Sequence, residues 1–362
     1  YTTNLFPEHE KMNGQYVRGQ FERVGRNTCF NCGMHHLAVL KVTEGPYKGF
    51  VGEDPEYEAF AALGPQIGQT DAGGVFVLSD LVDRLGIDVN ETGWVIGWLM
   101  ECYEKGILTK KDTDGIEMNW GNVESTRKML QKISNREGIG NLLAEGVKRA
   151  SEEIGGEAAD MAVCTRKGST PRGHDHRCRW TELLDTCFGN TGTIEATFGG
   201  AKPEVLGMPP IHDRFSPWEA SSINAMMNGW HIFEDCVGVC RFNMRGTQSV
   251  VDAFNAATGF NLSLPEVMKT GKRIVNVLRA FNLRNGLTSD IEAPGTRYAS
   301  TPTDGPGEGI GIAKHWDLIR EIYYRLMGWD SETGIPLPET LRDLGLEDVE
   351  GKLSETGVTR DD

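Results

Sequence analysis

A mainly α-helical fold is predicted by three observations on this chain of 362 residues. Apolar residues recur at intervals of three and four over several long stretches, glycines stand where those stretches stop, and alternating runs of strand type are few. The 45 glycines are spread along the chain, which implies many tight turns between short helices.

Val75, Leu78, Leu81, Val82 and Leu85 predict a helix from Gly74 to about Gly86. A second begins near Glu91 or Thr92 and carries Val95, Ile96, Leu99, Met100 and Tyr103 to Gly106. Val123 to Ser134 and Ile139 to Ile154 read as consecutive amphipathic helices, the latter stopped by Gly155 and Gly156. Segments 217–231, 264–281 and 312–327 are helical by the same pattern, and Tyr47 to Val51 and Gly115 to Met118 are the places for a short hairpin or two. The glycine-containing stretch Gly155 to Pro171 divides the chain into segments 1–165 and 166–362, and the acidic end, Leu346 to Asp362, reads as a solvated tail.

With 39% hydrophobic and 25% charged residues the composition is globular, and no run reaches the length of a membrane-spanning helix. A net charge of −15 argues against nucleic acid or an anionic membrane as the main partner, since both need a concentrated basic face. The eight cysteines are too few for a disulfide scaffold. They cluster as CxxC and CxxxC, which suits metal ligation in the reducing cytoplasm.

The first cluster is CFNCGMHH, Cys29 to His36. Adjacent side chains diverge, so at most one of His35 and His36 joins Cys29 and Cys32, and a remote donor must close the site. The remote donor is expected in the segment Glu234 to Phe242, which holds Cys236 and Cys240. Four thiols suit zinc or an iron–sulfur cluster, and unligated buried cysteine is the third possibility.

A second pattern bears on that choice. Asp83-Arg84-Leu85-Gly86-Ile87-Asp88 and Asp235-Cys236-Val237-Gly238-Val239-Cys240 share the form Asp-x-x-Gly-aliphatic-Asp/Cys. Such a turn offers free backbone N–H groups beside a carboxylate, which suits a polar heterocycle with a phosphate, although taken singly it is also an ordinary helix C-cap.

With both patterns in place, the sequence resembles the tungsten-containing aldehyde ferredoxin oxidoreductase family. In that family two DxxGL(D/C) motifs each hold one of two tungsten-chelating pterins, and the cysteine ending the second motif ligates a 4Fe-4S cluster. The resemblance implies pterin contacts from Asp83, Gly86, Ile87, Asp88, Asp235, Gly238, Val239 and Arg241. The family's CxxCxxxC run corresponds to Cys29, Cys32 and His36, with Cys240 as fourth cluster ligand. GEDPEYEAFAALGP from Gly52, REGIGNLLAEGVKRA from Arg136 and GWDSETGIPLPETLRDLGL from Gly328 look like further family segments, so the likeness runs from about Cys29 to Asp348.

The implied fold is the two helical C-terminal domains of that family, with its N-terminal β-rich domain absent from this chain, in keeping with a first residue that is not Met. The implied reaction is two-electron oxidation of an aldehyde or related carbonyl compound, with single electrons passed to ferredoxin or a dedicated iron–sulfur subunit, in a cytoplasmic homodimer of an anaerobe. The implied cofactors are a tungsten bis-pterin, with molybdenum the alternative metal, and one 4Fe-4S cluster. Glu56 matches the family's glutamate beside the metal and is the expected base, with Glu58 second.

There are two departures. The family histidine expected after a DPRG run is missing: here Thr170-Pro171-Arg172-Gly173 is followed by His174 and His176, which stand in as candidate proton donors or form a surface charge cluster, and then by Gly189-Asn190-Thr191-Gly192. His36 replaces a thiolate, and a neutral imidazole on iron raises a cluster's potential, as in Rieske centres. Two alternatives therefore stay open: a tungsten subunit like those of benzoyl-CoA reductases, acting on an aryl-CoA thioester, and a zinc-stabilised interaction protein with a decayed cofactor site.

Overall fold

Helix ends in this protein are set by short polar caps and left-handed glycines. The computed structural model describes residues 1–30, 32–192, 203–207, 210–238, 240, 242–243 and 246–355. A short α1 (Gly14–Gln20) leads into an antiparallel sheet of β1 (Phe21–Arg26), β2 (Ala38–Val42) and β3 (Val51–Glu53), paired in that order with Phe21 opposite Val42 and Val39 opposite Glu53. After it come α2 (Tyr57–Leu63), α3 (Ala72–Leu85), α4 (Val89–Glu104), α5 (Val123–Asn135), α6 (Gly140–Leu143), α7 (Gly146–Ile154), α8 (Glu157–Met161) and α9 (Trp180–Phe188). The second half holds α10 (Pro217–Val237), α11 (Thr247–Thr258), α12 (Leu264–Arg284), α13 (Trp316–Met327), α14 (Pro338–Asp343) and α15 (Glu347–Glu355).

Asp71 opens α3 by accepting the Gly73 N–H, and Gly86 ends it at φ 66. Asp88 then caps α4 through the Glu91 N–H. The single helix expected over Ile139 to Ile154 is two, and the cause is Glu91. Its carboxylate accepts the Val147 N–H at 2.6 Å and the Thr170 hydroxyl at 2.9 Å, and a Cβ on Gly146, where φ is 86, would meet that carboxylate at 2.8 Å. One partly buried side chain thus ties α4, α7 and the segment after α8 together.

The sheet corrects the strand expectation. Of Tyr47 to Val51 only Val51 is in a strand, and Gly115 to Met118 form none, because the Gly115 and Ile116 N–H groups close turns onto Lys110 and Thr113. β1 buries only Phe21 fully and carries a bulge between Arg23 and Gly25, so it has no apolar alternation to read. The acidic end is also corrected over its described part. Residues 347–355 are α15, and Leu346, Val349 and Leu353 pack with Ala280, Leu283 and Leu341.

One apolar core includes Leu63, Phe76 and Ile96 from the first half and Phe188, Tyr323 and Trp329 from the second. The two halves proposed from the sequence therefore share a core, and an isolated bridge joins Thr165 to Pro294 at the boundary. A smaller core lies between α10, α11 and α12, around Trp230, Phe233, Val250 and Val267.

α10 and α12 approach at glycine. A Cβ on Gly271 would stand 1.7 Å from the Gly229 carbonyl oxygen, so only glycine lets the two backbones meet there. Gly271→Ala is expected to cost about 2 kcal/mol or more despite alanine's roughly 1 kcal/mol better helix propensity. Urea unfolding measures this, with Gly351→Ala as control, since nothing lies within 4 Å of a Cβ at Gly351. Equal stabilities would show that the crossing relaxes freely.

Candidate functional site

The loop between β1 and β2 carries Cys29, Cys32, His35 and His36 on the protein surface. The Cys32 N–H donates to the Cys29 carbonyl at 3.2 Å, a tight turn that sets the two thiols close in the chain. His35 has φ 52, a left-handed conformation uncommon for a residue with a Cβ. His36 Nε2 lies 3.4 Å from a Glu56 carboxylate oxygen, and the His36 ring sits 5.9 Å from the ring of Phe242. The loop thus meets the segment after α10, where Cys240 is exposed and its carbonyl accepts the Asn243 N–H.

The thiols divide by environment. Cys102 and Cys164 are buried, and burial pushes both up to about 12; Cys187 is buried too and is likewise raised by burial. These three behave as small core hydrophobes. Cys29, Cys236 and Cys240 are exposed and Cys32 and Cys178 partly so, which leaves Cys29, Cys32 and Cys240 with the exposed His36 imidazole as a soft donor set outside the core. Asn31, Val239 and Arg241 lie outside the described residues.

Each Asp-x-x-Gly motif folds as a helix end. Gly86 at φ 66 closes α3 and Gly238 at φ 74 closes α10, each N–H donating to the carbonyl of the aspartate three residues before. A Cβ on either glycine would meet nothing within 4 Å, so both turns are open to an approaching group. Asp88 is spent on capping α4. Asp83 is not, and burial, then Glu53 and Asp80, raise its carboxyl above the usual range. Ile87 and Asp88 also line a cavity of about 370 Å³.

The third cluster lies behind the Thr170 to Gly173 run. His176 is fully buried and His174 partly exposed, so the pair is not a surface charge cluster. Both converge on Glu182 of α9, a residue without any local sequence signal. His174 Nδ1 lies 2.7 Å and His176 Nε2 3.3 Å from the same Glu182 oxygen, while the other oxygen takes Arg179 at 2.6 Å. The His176 contact lacks hydrogen-bond geometry, whereas its Nδ1 is 2.7 Å from the Tyr298 hydroxyl. Burial alone would raise the Glu182 carboxyl, but hydrogen bonding to His174 and Arg179, with the His176 ring close by, holds it far below the usual carboxylate range. Burial pushes His176 down, toward the neutral form.

Among the described residues, His174, His176 and Glu182 are a group of three ligand-type side chains with donor atoms within 4.8 Å of one another. Arg179, and Arg172 at 3.5 Å, already neutralise that carboxylate, so the group suits protons better than a divalent cation. The Tyr57 ring stacks on His174 at 5.2 Å. Glu56 and Tyr57, adjacent in the chain, thereby link the His36 side to the His174 side. The donor atoms of Cys29, Cys32, His36 and Cys240 form no such single-ion group.

The profile described as "Aldehyde ferredoxin oxidoreductase, domains 2 & 3" matches residues 1–346. A tungsten-containing aldehyde ferredoxin oxidoreductase of Pyrococcus furiosus is 30% identical over 96% of this chain and 56% of its own length. The aliphatic sulfonate oxidoreductase WOR-like subunit of the same organism is 30% identical over 88% of this chain and 50% of its own. The chain thus spans about half the length of these relatives. In fold it is similar to a chain of the active site complex BamBC of benzoyl coenzyme A reductase, with a TM-score of 0.73 and 21% identity over 94% of this chain and 55% of that one. The chain belongs to the aldehyde ferredoxin oxidoreductase family, whose domains 2 and 3 its residues 1–346 match.

Proposed function

We propose that the chain is the helical, cofactor-holding part of a tungsten–pterin and iron–sulfur oxidoreductase that takes two electrons from an aldehyde or related carbonyl compound. In this reading the electrons leave singly, to ferredoxin or to an iron–sulfur partner subunit. The observation that carries it is the contact between His36 and Phe242, because it joins the CxxC loop to the segment bearing Cys240.

The donor set fits the group. Three thiols and an imidazole are soft ligands of the kind an iron–sulfur cluster takes, and they stand on an accessible face. His36 Nε2 faces Glu56, so the imidazole would hold a cluster iron through its other nitrogen, with the carboxylate as the partner that orients the ring. The open left-handed turns at Gly86 and Gly238 fit a pterin approaching Asp83 and Asp235. When bound, the tungsten bis-pterin supplies two-electron chemistry and the cluster single-electron transfer. The residues of the chain hold, orient and move protons. Glu56 has two competing tasks, a base for substrate and the partner of His36. His174 lines a cavity of about 420 Å³ together with Trp94, Trp98 and Arg172.

No helix among the described residues is long and apolar enough to cross a membrane. A cytoplasmic setting and a homodimer complete the proposal, on the free thiols and the family resemblance respectively.

The test is anaerobic purification of the complete protein, metal analysis, and a screen of aldehydes and aryl-CoA thioesters with a redox dye. Tungsten or molybdenum with about four irons per chain is expected for one cluster. Zinc alone, without visible cluster absorption, sinks the redox reading, and turnover of only the thioesters moves it to the reductase alternative. Cys240→Ala is expected to remove the irons, and Asp83→Ala or Asp235→Ala to lower the tungsten content; contents equal to the parent's would refute those assignments. His36→Cys is expected to change the cluster's EPR signal and lower its potential. An identical spectrum would mean that His36 binds no iron.

A further inference from the structure

We propose that Glu182 is a positioning residue that holds His174 as its Nδ1–H tautomer and so sets the other ring nitrogen to exchange protons with a substrate in the tryptophan-walled cavity. The proposal deepens the oxidoreductase reading and rests on it for the identity of the reaction.

The tautomer follows from acceptor chemistry. An ionised carboxylate has no proton to give, so a nitrogen 2.7 Å from its oxygen must be the donor. Arg179 also approaches His174 Nδ1, at 3.3 Å, but it lies closer to the second Glu182 oxygen, at 2.6 Å. The charge on Glu182 is kept by that contact and by Arg172. His176, on the far side, is fully buried and bonded through Nδ1 to Tyr298, with the Thr186 hydroxyl 3.4 Å away. It therefore backs the carboxylate instead of competing for the cavity. The Tyr57 ring stacked on His174, interplanar angle 20°, fixes the plane of the imidazole.

The cavity side is built to match. Trp94 donates its indole N–H to the Pro171 carbonyl and Trp98 to the Ala158 carbonyl, so both rings face the cavity as apolar walls. Among the polar groups lining it, His174 offers a nitrogen that is an acceptor when Nδ1 carries the proton. Proton uptake at Nε2 turns the neutral ring into imidazolium, whose Nδ1–H stays on Glu182; the same nitrogen later returns the proton. No electrons move in this step. A carboxylate behind an imidazole both selects the tautomer and stabilises the cation formed.

Two measurements test this on the complete, cofactor-loaded enzyme. In 15N-histidine-labelled protein, two-bond 1H–15N NMR is expected to show the His174 ring protonated on Nδ1, and a mixed tautomer in Glu182→Gln. A wild-type ring protonated on Nε2 overturns the proposal without needing any variant to fold. In kinetics, Glu182→Gln is expected to lower kcat about 100-fold with KM little changed, and to cost nothing further in a His174→Gln background. Additive losses, or an equal fall in kcat for both variants on top of each other, mark a merely structural carboxylate and overturn it. A stoichiometric divalent metal lost with Glu182→Gln does so as well. Should no carbonyl compound be turned over, the oxidoreductase reading falls, while the NMR result still upholds or overturns the tautomer by itself.

Discussion

Contact between two glycines governs where the second half of the site emerges. The Gly229 carbonyl of α10 lies so near Gly271 of α12 that no side chain fits between them, and the helices therefore meet backbone to backbone. The same α10 is pinned from its other side, where Ser221 donates to the Ile319 carbonyl and Asn228 to the Tyr323 hydroxyl of α13. A helix held on two sides ends at a fixed point. That point is Gly238, and four residues on the Phe242 ring meets the ring of His36. Packing energy far from any ligand thus becomes geometry at the surface.

Two buried carboxylates show how one residue type is turned to different ends. Glu292 is fully buried and takes Arg279 at 2.6 Å and the Tyr324 hydroxyl at 2.5 Å, with the guanidinium stacked over Trp329 at 4.4 Å. Its partners hold their protons at any physiological pH, so this network can only brace α12 against α13. Glu182 is nearly as enclosed, yet two of its neighbours are imidazoles, one of them at the edge of a cavity. Histidine is the side chain whose proton exchanges near neutral pH, so this second network carries chemistry that the first cannot.

The sequence read well where one face of an element is apolar and badly where tertiary contacts decide. α3, α4, α5 and α12 were legible within a few residues because their buried positions recur at helical spacing, while α10 was placed correctly at its start and runs on to Val237. The split between α6 and α7 was not, since its cause is Glu91, a carboxylate on another helix. β1 and β2 escaped because the sheet has little alternation to show, and α15 because acidic residues masked Leu346, Val349 and Leu353. In the site, the thiols singled out by spacing all stand outside the core, where Cys178 stands too, whereas Glu182 and Tyr298 carry no local pattern and meet the histidines only through the fold.

The Asp-x-x-Gly turns show why a motif and a cap are hard to separate. Locally each is a helix ending in a left-handed glycine, as the residues alone imply. What distinguishes the first is the state of its two carboxylates. Asp88 is committed to the N-terminus of α4, so it is already satisfied. Asp83 is exposed at the end of α3 beside Glu53 and Asp80, and partial burial together with those like charges disfavours its ionised form. A cap needs no such carboxylate, because Gly86 closes the helix through the backbone alone. An incoming group with N–H donors would relieve the repulsion by hydrogen-bonding to the charged form, and the space beside Gly86 leaves room for it. The carboxylate, more than the glycine, is therefore the feature of this turn that a helix cap leaves unexplained.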